Sequence, residues 1–160
     1  MVVDKVLSIL GATALEEVHN HHNYAWREQH AGESFWVVRK GATPARPGQR
    51  GFVGSTMGEP SVILEGVESD RSADALYSTV HGAGRAMSRT AAREKFRWNH
   101  IKPMLAERGV KLLSAGIDEN PFVYKDIHEV MRSQADLVEV VARFDPRIVR
   151  MAGDGERPED

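Results

Sequence analysis

The chain has 160 residues, of which 41% are hydrophobic. This is enough for one globular domain with a sizeable core and too short for two independent domains. Its 21 basic and 23 acidic residues give a net charge of -2, so any attraction to nucleic acid must come from local clusters of positive charge. The chain has no cysteine, which excludes disulfides, thiolate zinc sites and cysteine nucleophiles and leaves histidine and carboxylates as the strong metal ligands. No apolar run is long enough for a membrane span and the N-terminus lacks a signal-peptide pattern, so we expect a cytoplasmic protein.

The first part of the chain is predicted to contain two helices, a strand and a basic loop. Apolar residues recur at three- and four-residue steps over Val2–Leu10 and over residues 12–30, which predicts a helix in each segment and turns His22 toward the interior. A buried strand is predicted over residues 34–39, where aromatic and β-branched residues dominate. Residues 39–52 contain four basic residues and no acidic one, together with two prolines and three glycines, which is typical of a basic loop.

Short strands and helices follow without a regular alternation. Strands are predicted at residues 52–53, Ser61–Gly66 and 76–80, and the last of them leads directly into His81. The later elements are a helix over residues 88–98, a short helix with Pro103 in its first turn, a strand over 110–113, a helix over 124–144 that Pro146 ends, and a strand over 148–151. This order predicts an α+β fold, a single mixed domain over residues 1–152, followed by a flexible acidic tail over residues 153–160.

The sequence His-Gly-Ala-Gly-Arg at residues 81–85 is the most informative stretch. Imidazole titrates near neutrality and acts as a nucleophile, the glycines let backbone N–H groups approach phosphate oxygens, and arginine binds those oxygens with paired hydrogen bonds. These are the groups needed to attack a phosphate. The same pattern is also typical of an ordinary turn that happens to contain a histidine.

Residues 54–58, Gly-Ser-Thr-Met-Gly, form a second candidate phosphate-binding loop, with Ser61 just beyond them. Backbone N–H groups of such a loop make a concave array of donors and the hydroxyls add further donors. An ordinary hairpin connection has the same composition, since glycine and serine dominate turns.

Two further groups of residues have both a functional and a structural interpretation. His19, His21, His22 and His30 are close in sequence and could seed a divalent metal site, or be packed or solvated histidines, and the amide of Asn23 could orient a nucleotide phosphate or ribose. Arginines at positions 85, 89, 93 and 97 recur every four residues. On a continuous helix they would form a rail for an RNA backbone, and the alternative is a solvated charged face.

Five motifs in this order resemble those of the RtcB family of RNA-splicing ligases, over nearly the whole chain. They are His22-Asn23 with Glu28 and His30, residues 39–43 (Arg-Lys-Gly-Ala-Thr), residues 54–58 with Ser61, residues 81–89 (His-Gly-Ala-Gly-Arg-Ala-Met-Ser-Arg), and residues 124–127 (Tyr-Lys-Asp-Ile). Members of this family join an RNA 3′-phosphate, or a 2′,3′-cyclic phosphate that is opened first, to a 5′-hydroxyl. They use GTP and manganese, through a histidine-linked guanylate.

The resemblance implies a role for each motif. His81 would be the nucleophile that attacks the α-phosphate of GTP, and His22 would be a manganese ligand. Arg39, Lys40, Arg85 and Arg89 are expected to contact RNA phosphates. The residues implied at the nucleotide are Asn23, Gly54, Ser55, Thr56, Met57, Ser61, Gly82, Ala83, Gly84 and Tyr124, the last of them contacting the base.

The chain also departs from the family. It resembles only the C-terminal portion of longer members, whose front half carries an aspartate, a bridging cysteine and two more histidines of the manganese centre. Ala152 stands where many members have a guanine-binding lysine, and Thr56 occupies a usual serine position. We therefore expect a GTP- and Mn-dependent RNA ligase that needs a separate N-terminal half or a longer parent chain, and that makes no use of a membrane. The alternatives are a non-catalytic RNA- or nucleotide-binding module derived from such a ligase, and a truncated product that is marginally folded.

Overall fold

The computed structural model describes residues 2–154. These residues combine short helices with small, mostly antiparallel sheets, which confirms the predicted α+β class. The helices are α1 Val2–Leu10, α2 Asp70–Asp74, α3 Arg89–Lys95, α4 Trp98–Glu107 and α5 Ile127–Arg132. The strands are β1 Asn23–His30, β2 Glu33–Lys40, β3 Ala42–Pro44, β4 Arg50–Val53, β5 Ser61–Gly66, β6 Ser78–Val80, β7 Lys111–Ser114, β8 Val138–Phe144 and β9 Ile148–Arg150. Two 3-10 turns cover Ile117–Glu119 and Pro121–Val123.

The strands of the described part of the chain form four small sheets. Strands β1 and β2 make an antiparallel hairpin, β3 pairs with β6, and β5 lies between β4 and β8 in a three-stranded antiparallel sheet. Strands β7 and β9 are parallel. The β3–β6 pair positions the candidate site. Ala42 pairs with Val80, and this brings Gly41, which follows β2, beside His81, which follows β6.

Two predicted helices are wrong. Residues 12–30 do not form a helix, because β1 Asn23–His30 pairs along its whole length with β2 through a turn at Ala31 and Gly32, which have φ of 50° and 82°. Residues 124–144 contain only the six-residue helix α5, and β8 then pairs with β5. In β8 three β-branched valines between residues 138 and 141 favour a strand.

The segment from residue 88 to 107 also differs from the prediction. Helix α3 ends at Lys95, the backbone of Phe96 is extended (φ -105°, ψ 156°), and α4 begins at Trp98, so the predicted single helix over residues 88–98 is interrupted. Pro103 lies inside α4 and not in its first turn. The predictions of α1, of β5 and of strands near residues 34–39, 110–113 and 148–151 are confirmed.

The buried apolar residues form two clusters that meet at the predicted phosphate-binding loop. The first surrounds Leu64 and Ile127 and includes Val53 and Ala83. The second surrounds Ile101 and Leu105 and includes Met57. Because Val53 lies in one cluster and Met57 in the other, residues 54–56 cross the boundary between them and are held at both ends.

Several apolar surfaces of the described residues face outward. Helix α1 has no buried residue, and Ile9 is 82% exposed. Trp36 on β2 is 71% exposed and Phe144 on β8 is 58% exposed. None of the described helices is long and apolar enough to cross a membrane. Of the predicted tail over residues 153–160, Asp154 is anchored, since it accepts hydrogen bonds from Ile117 N and Trp98 Nε1, and residues 155–160 lie outside the described residues.

Candidate functional site

The imidazole of His81 lies at the surface in a defined orientation. It follows β6 directly, its side chain is exposed, and its Nδ1 is 2.8 Å from the carbonyl oxygen of Gly41. A carbonyl oxygen only accepts hydrogen bonds, so Nδ1 carries the proton and Nε2 carries the lone pair. The ring thus presents a nucleophilic nitrogen to the solvent, as attack on a phosphate requires.

His22 is brought beside His81, but not in the way that was predicted. It precedes β1, is exposed, and so does not face the interior from a helix. Its carbonyl oxygen accepts a hydrogen bond from Gly41 N at 2.9 Å, and its ring stacks on that of His81 with centroids 4.9 Å apart and planes 16° apart. Gly41 therefore holds both histidines, one through its N–H and the other through its carbonyl.

The other histidines of the predicted group lie elsewhere. His19 contacts Glu17, His21 packs against the rings of Tyr24 and Trp26, and His30 is buried against Glu28. Among residues 2–154 no group of three or more histidine, aspartate or glutamate side chains is arranged to hold a metal ion. A single imidazole does not bind manganese firmly, so the described residues do not by themselves form a manganese site.

The two glycine loops predicted from the sequence lie side by side. Gly54 and Gly82 form a parallel bridge, in which Ala83 N donates to Gly54 O at 2.9 Å and Gly54 N donates to His81 O at 3.3 Å. A Cβ on Gly82 would lie 3.2 Å from Gly54 O, a tight contact, so the close approach of the two backbones favours glycine there. Gly84 has φ of 75° and its carbonyl accepts from Lys125 N.

A cavity of about 280 Å³ opens beside the loop at residues 54–58, and no residue of the loop at 81–85 lines it. Five of the residues predicted to surround a nucleotide line it, and Glu119 and Met151 lie in the same wall. The five are Ser55, Thr56, Met57, Ser61 and Tyr124. This volume is at the lower end for a small-molecule site and suits a nucleobase better than a whole nucleoside triphosphate.

The hydroxyls of the loop differ in their availability. Ser61 Oγ accepts from Ser55 N at 3.1 Å and Thr56 Oγ1 accepts from Gly58 N at 3.2 Å, so both help to hold the loop. Ser55 Oγ is buried and has no hydrogen-bond partner among the described residues. Because an unpaired buried hydroxyl is costly, Ser55 is the loop residue best placed to bind a polar group of a ligand.

Tyr124 and Glu119 join this cavity to the arginines of the motif at residues 81–89. The Tyr124 hydroxyl donates to Glu119, and the Arg85 guanidinium lies 5.3 Å from the centre of the Tyr124 ring. Burial, followed by the hydrogen bond to Glu119, raises the pKa of Tyr124 to about 12. Arg85 also donates to Glu119 and to the carbonyl of Asp118.

The four arginines do not form the rail that one continuous helix would give, because the helix is interrupted after Lys95. Arg89 forms ion pairs with Asp118 and Glu119, and Arg93 forms one with Asp118. Burial works to raise the pKa of Asp118, but the hydrogen bond from Arg89 and the charge of Arg93 hold it below its usual value. Arg97 lies beyond the end of α3 and donates to three backbone carbonyls. The arginines are therefore paired and directed to protein groups, and no continuous helix aligns them.

The two basic residues at the end of β2 differ in exposure. Lys40 is exposed, which is compatible with a phosphate contact, whereas the Arg39 side chain is 2% exposed and is paired with Glu28. The structure therefore places Arg39 inside the protein, with no surface for the RNA contact that the resemblance implies. Asn23 is exposed at the start of β1, opposite Lys40 in the hairpin register.

Three carboxylates that organise the site had no predicted role: Glu28, Asp118 and Glu119. Glu28 belongs to the motif near His22, and its alternation with exposed Arg27 and Gln29 on a strand is the signal that could have revealed it. Asp118 and Glu119 lie in a 3-10 turn with no periodic pattern. Their arginine partners are at least 25 residues away in the sequence, so only the tertiary structure reveals these ion pairs.

Comparison with known proteins places these features in a family context. The family model described as tRNA-splicing ligase RtcB matches residues 2–152. The chain is 44% identical over 128 residues to an RNA-splicing ligase RtcB of Escherichia coli, which covers 80% of this chain and 31% of that protein. It is 41% identical over 140 residues to RNA-splicing ligase RtcB1 of another Escherichia coli strain, covering 88% and 34% respectively.

An archaeal protein is similar over the same region. The tRNA-splicing ligase RtcB of Pyrococcus furiosus is 34% identical over 148 residues, which covers 78% of this chain and 15% of that protein. The chain thus spans about a third of the length of the two bacterial relatives.

Proposed function

This chain belongs to the RtcB family, and on that premise we propose that it is the nucleotide-accepting part of an RNA ligase. The ligase joins an RNA 3′-phosphate or 2′,3′-cyclic phosphate to a 5′-hydroxyl, uses GTP and manganese, and works through a guanylate on His81. One observation carries this proposal: His81 is exposed and its Nδ1–H is held by the Gly41 carbonyl at 2.8 Å, so that Nε2 is the free nucleophile.

The geometry of His81 supports a defined first step. The lone pair of Nε2 attacks the α-phosphorus of GTP and forms a nitrogen–phosphorus bond. At the same time the bond from that phosphorus to its bridging oxygen breaks, and pyrophosphate leaves with the electron pair. Nδ1 keeps its proton, so the ring becomes positively charged, and the Gly41 carbonyl stabilises that charge.

The neighbouring cavity supports binding of the nucleotide. It contains the unpaired hydroxyl of Ser55 and the half-buried ring of Tyr124. The backbone pairing of Gly54 with Gly82 fixes this cavity next to the loop that carries His81. A base between these residues would leave its phosphates free to extend along residues 81–84.

Manganese, when bound, would screen the charge of the triphosphate and stabilise the departure of pyrophosphate. Only His22 is available for it beside His81 among the described residues. We therefore assign the remaining ligands to the part of the ligase that corresponds to the two thirds of the bacterial relatives that this chain does not cover.

The exposed apolar surfaces support the need for that part. Helix α1 is amphipathic in sequence but has no buried residue, and Trp36 and Phe144 are more than half exposed. Exposed apolar patches mark surfaces that other protein segments cover. We propose that the chain alone does not join RNA and that a complementary N-terminal segment completes the enzyme.

A reconstitution assay tests the function. The full chain is mixed with the segment of the Escherichia coli relative that precedes the similar region, and with GTP, Mn²⁺ and two RNA oligonucleotides, one with a 3′-phosphate and one with a 5′-hydroxyl. We expect joined RNA only in the mixture, and we expect His81→Asn to lower its rate roughly a thousandfold or more. The matched control is His100→Asn, because His100 is exposed on α4 and does not line the cavity. Joining that persists at an undiminished rate in His81→Asn would refute the proposal.

A further inference from the structure

Arg39 lies at the centre of a buried polar cluster. Its Nη1 and Nη2 bind the two carboxylate oxygens of Glu28 at 2.7 and 3.0 Å, in a bidentate ion pair whose side chains are 2% and 1% exposed. Arg46 and His30 also contact the Glu28 carboxylate, at 3.0 and 2.8 Å. Burial works to raise the pKa of Glu28, but the hydrogen bonds from Arg39 and His30 and the charges of Arg39 and Arg46 lower it to about 2. Glu28 therefore keeps its charge, and Arg39 is fixed on the hairpin of β1 and β2.

The same guanidinium also binds the segment that leads to His81. Nη2 donates to the carbonyl of Leu76 at 2.8 Å and Nε donates to Ser78 Oγ at 2.8 Å. Leu76 and Tyr77 both have positive φ, at 51° and 49°. This conformation is unfavourable for residues other than glycine and persists only where neighbouring groups hold it. Arg39 is one of those groups. Leu76 lies five residues before His81, and strand β6 connects the two.

Arg39 also lies two residues before Gly41, whose carbonyl accepts the His81 Nδ1 proton. One side chain thus binds both segments that must meet to orient the imidazole. The first runs from β2 to Gly41 and the second from Leu76 through β6 to His81. A shift between these segments would lengthen the 2.8 Å contact of His81 with Gly41 and release the ring.

We propose that Arg39 is a positioning residue, which, anchored by Glu28, aligns β6 with the turn at Gly41 and thereby keeps His81 in the Nδ1–H tautomer with Nε2 free. This inference rests on the proposed function for its catalytic meaning, since a free Nε2 matters only if His81 accepts the nucleotide. Arg39 acts through Leu76, Ser78 and Gly41 and does not touch the reacting atoms. Lysine cannot replace it, because a planar guanidinium fork makes four directed contacts that a single ammonium group does not reproduce.

The tautomer of His81 can be measured on the chain alone, without nucleotide. Histidine is labelled with ¹⁵N in the full chain, and long-range proton–nitrogen spectra report which ring nitrogen carries the proton, with His81→Asn identifying the signal. We expect the wild-type chain to show Nδ1–H. We expect Arg39→Lys to lose this preference and to show the mixture of tautomers of a solvated imidazole.

A second pair of variants keeps the test valid if Arg39→Lys does not fold. Ser78→Ala removes one contact of Arg39 without leaving a buried charge unpaired, and Ser78→Thr keeps the hydroxyl on a strand residue. We expect Ser78→Ala to shift His81 toward the mixed state and Ser78→Thr to restore the wild-type spectrum. Arg46→Gln is the control, since Arg46 contacts Glu28 from a half-exposed position, whereas the hydrogen bonds to Leu76 and Ser78 come from Arg39.

The outcomes separate this inference from the proposed function. A wild-type chain without the Nδ1–H form, or folded Arg39→Lys and Ser78→Ala variants that keep it unchanged, would overturn the positioning role, even if His81 proves to accept the nucleotide. Conversely, a tautomer that responds as expected supports the positioning role. If, in a separate assay, the reconstituted enzyme with GTP and Mn²⁺ transfers no nucleotide to His81, the proposed function is wrong while the positioning role stands.

Discussion

Tyr124 donates its hydroxyl proton to Glu119, in the wall of the cavity that we assign to the nucleotide. Glu119 also accepts from Arg85 and Arg89, so one carboxylate joins the cavity to the arginines that follow His81. Ionisation of Tyr124 would therefore disturb the hydrogen bonds that Glu119 accepts from Arg85 and Arg89.

The first prediction concerns the alkaline titration of Tyr124. Because the folded-state pKa is about 12 and the ordinary value is 10, this phenol stabilises the fold fully below pH 10 and loses that contribution as the pH rises toward 12. Ultraviolet difference absorbance should show a late tyrosine step that is missing in Tyr124→Phe. Tyr24→Phe is the control, since Tyr24 is 58% exposed. The hydrogen bond to Glu68 also raises the pKa of Tyr77, so the comparison is made in a Tyr77→Phe background, where a late step that survives in Tyr124→Phe would contradict the assignment.

The second prediction concerns acid stability. The pKa of Glu28 is lowered from 4.5 to about 2, so the ionised carboxylate stabilises the fold above pH 4.5 and this contribution is lost as the pH falls toward 2. This lowering of the Glu28 pKa corresponds to a contribution on the order of 3 kcal/mol to the free energy of unfolding at neutral pH. Urea unfolding at a series of pH values should show this loss, and Glu28→Gln should be less stable at pH 7 and less sensitive to pH below 5.

Glu129→Gln is the matched control for this variant. Its carboxylate is 73% exposed and lies 3.8 Å from the guanidinium of Arg132, so its removal should change stability by less than about 0.5 kcal/mol. Equal pH dependence of the wild-type chain and Glu28→Gln would show that Glu28 is not the group responsible.

The third prediction separates backbone strain from the orientation of His81. Gly41 and Gly32 both have positive φ, at 74° and 82°, and a Cβ on Gly41 would lie 3.7 Å from His81 Cε1, whereas a Cβ on Gly32 would meet nothing within 4 Å. Each alanine variant should lower the free energy of unfolding by about 1–2 kcal/mol. Only Gly41→Ala should slow nucleotide transfer to His81 in the reconstituted enzyme, and equal transfer rates in the two variants would argue against the role of Gly41.

The fourth prediction concerns RNA. Lys40 is exposed at the end of β2, close in sequence to Gly41, and we propose that it contacts a phosphate. Lys40→Gln should weaken RNA binding by a similar factor for all sequences and reduce the slope of log affinity against log salt by about 1. Lys102→Gln on α4 should leave the slope unchanged. Salt-sensitive RNA binding by a chain that never accepts a nucleotide would instead favour the non-catalytic RNA-binding alternative.

The sequence predicted the motifs of the candidate site more accurately than it predicted the helices and strands that position them. The motif at residues 81–85 and the loop at residues 54–58 were predicted from residue chemistry, and the structure brings them together through the Gly54–Gly82 bridge. Helix periodicity failed over residues 12–30, because the residues that β1 buries most are Glu28 and His30. A pattern based on hydrophobicity does not detect a strand whose inner face is charged.

Ion pairing explains the errors over the arginines. A spacing of four residues indicates one face only on a continuous helix, and the break at Phe96 removes that condition. Arg39 was predicted to be a surface cation because its partner Glu28 is 11 residues away, on the first strand of a hairpin, and that strand had been predicted as a helix. Long-range partners of charged residues depend on the tertiary fold, so a single sequence does not show which cations are free.

The most direct test of the account is the covalent state of His81. The reconstituted enzyme is incubated with GTP and Mn²⁺ without RNA, and the intact chain and its peptides are analysed by mass spectrometry under conditions that preserve nitrogen–phosphorus bonds. We predict one guanylyl group per chain, located on His81 and absent in His81→Asn. A guanylyl group on another residue, or its presence in His81→Asn, would contradict the account.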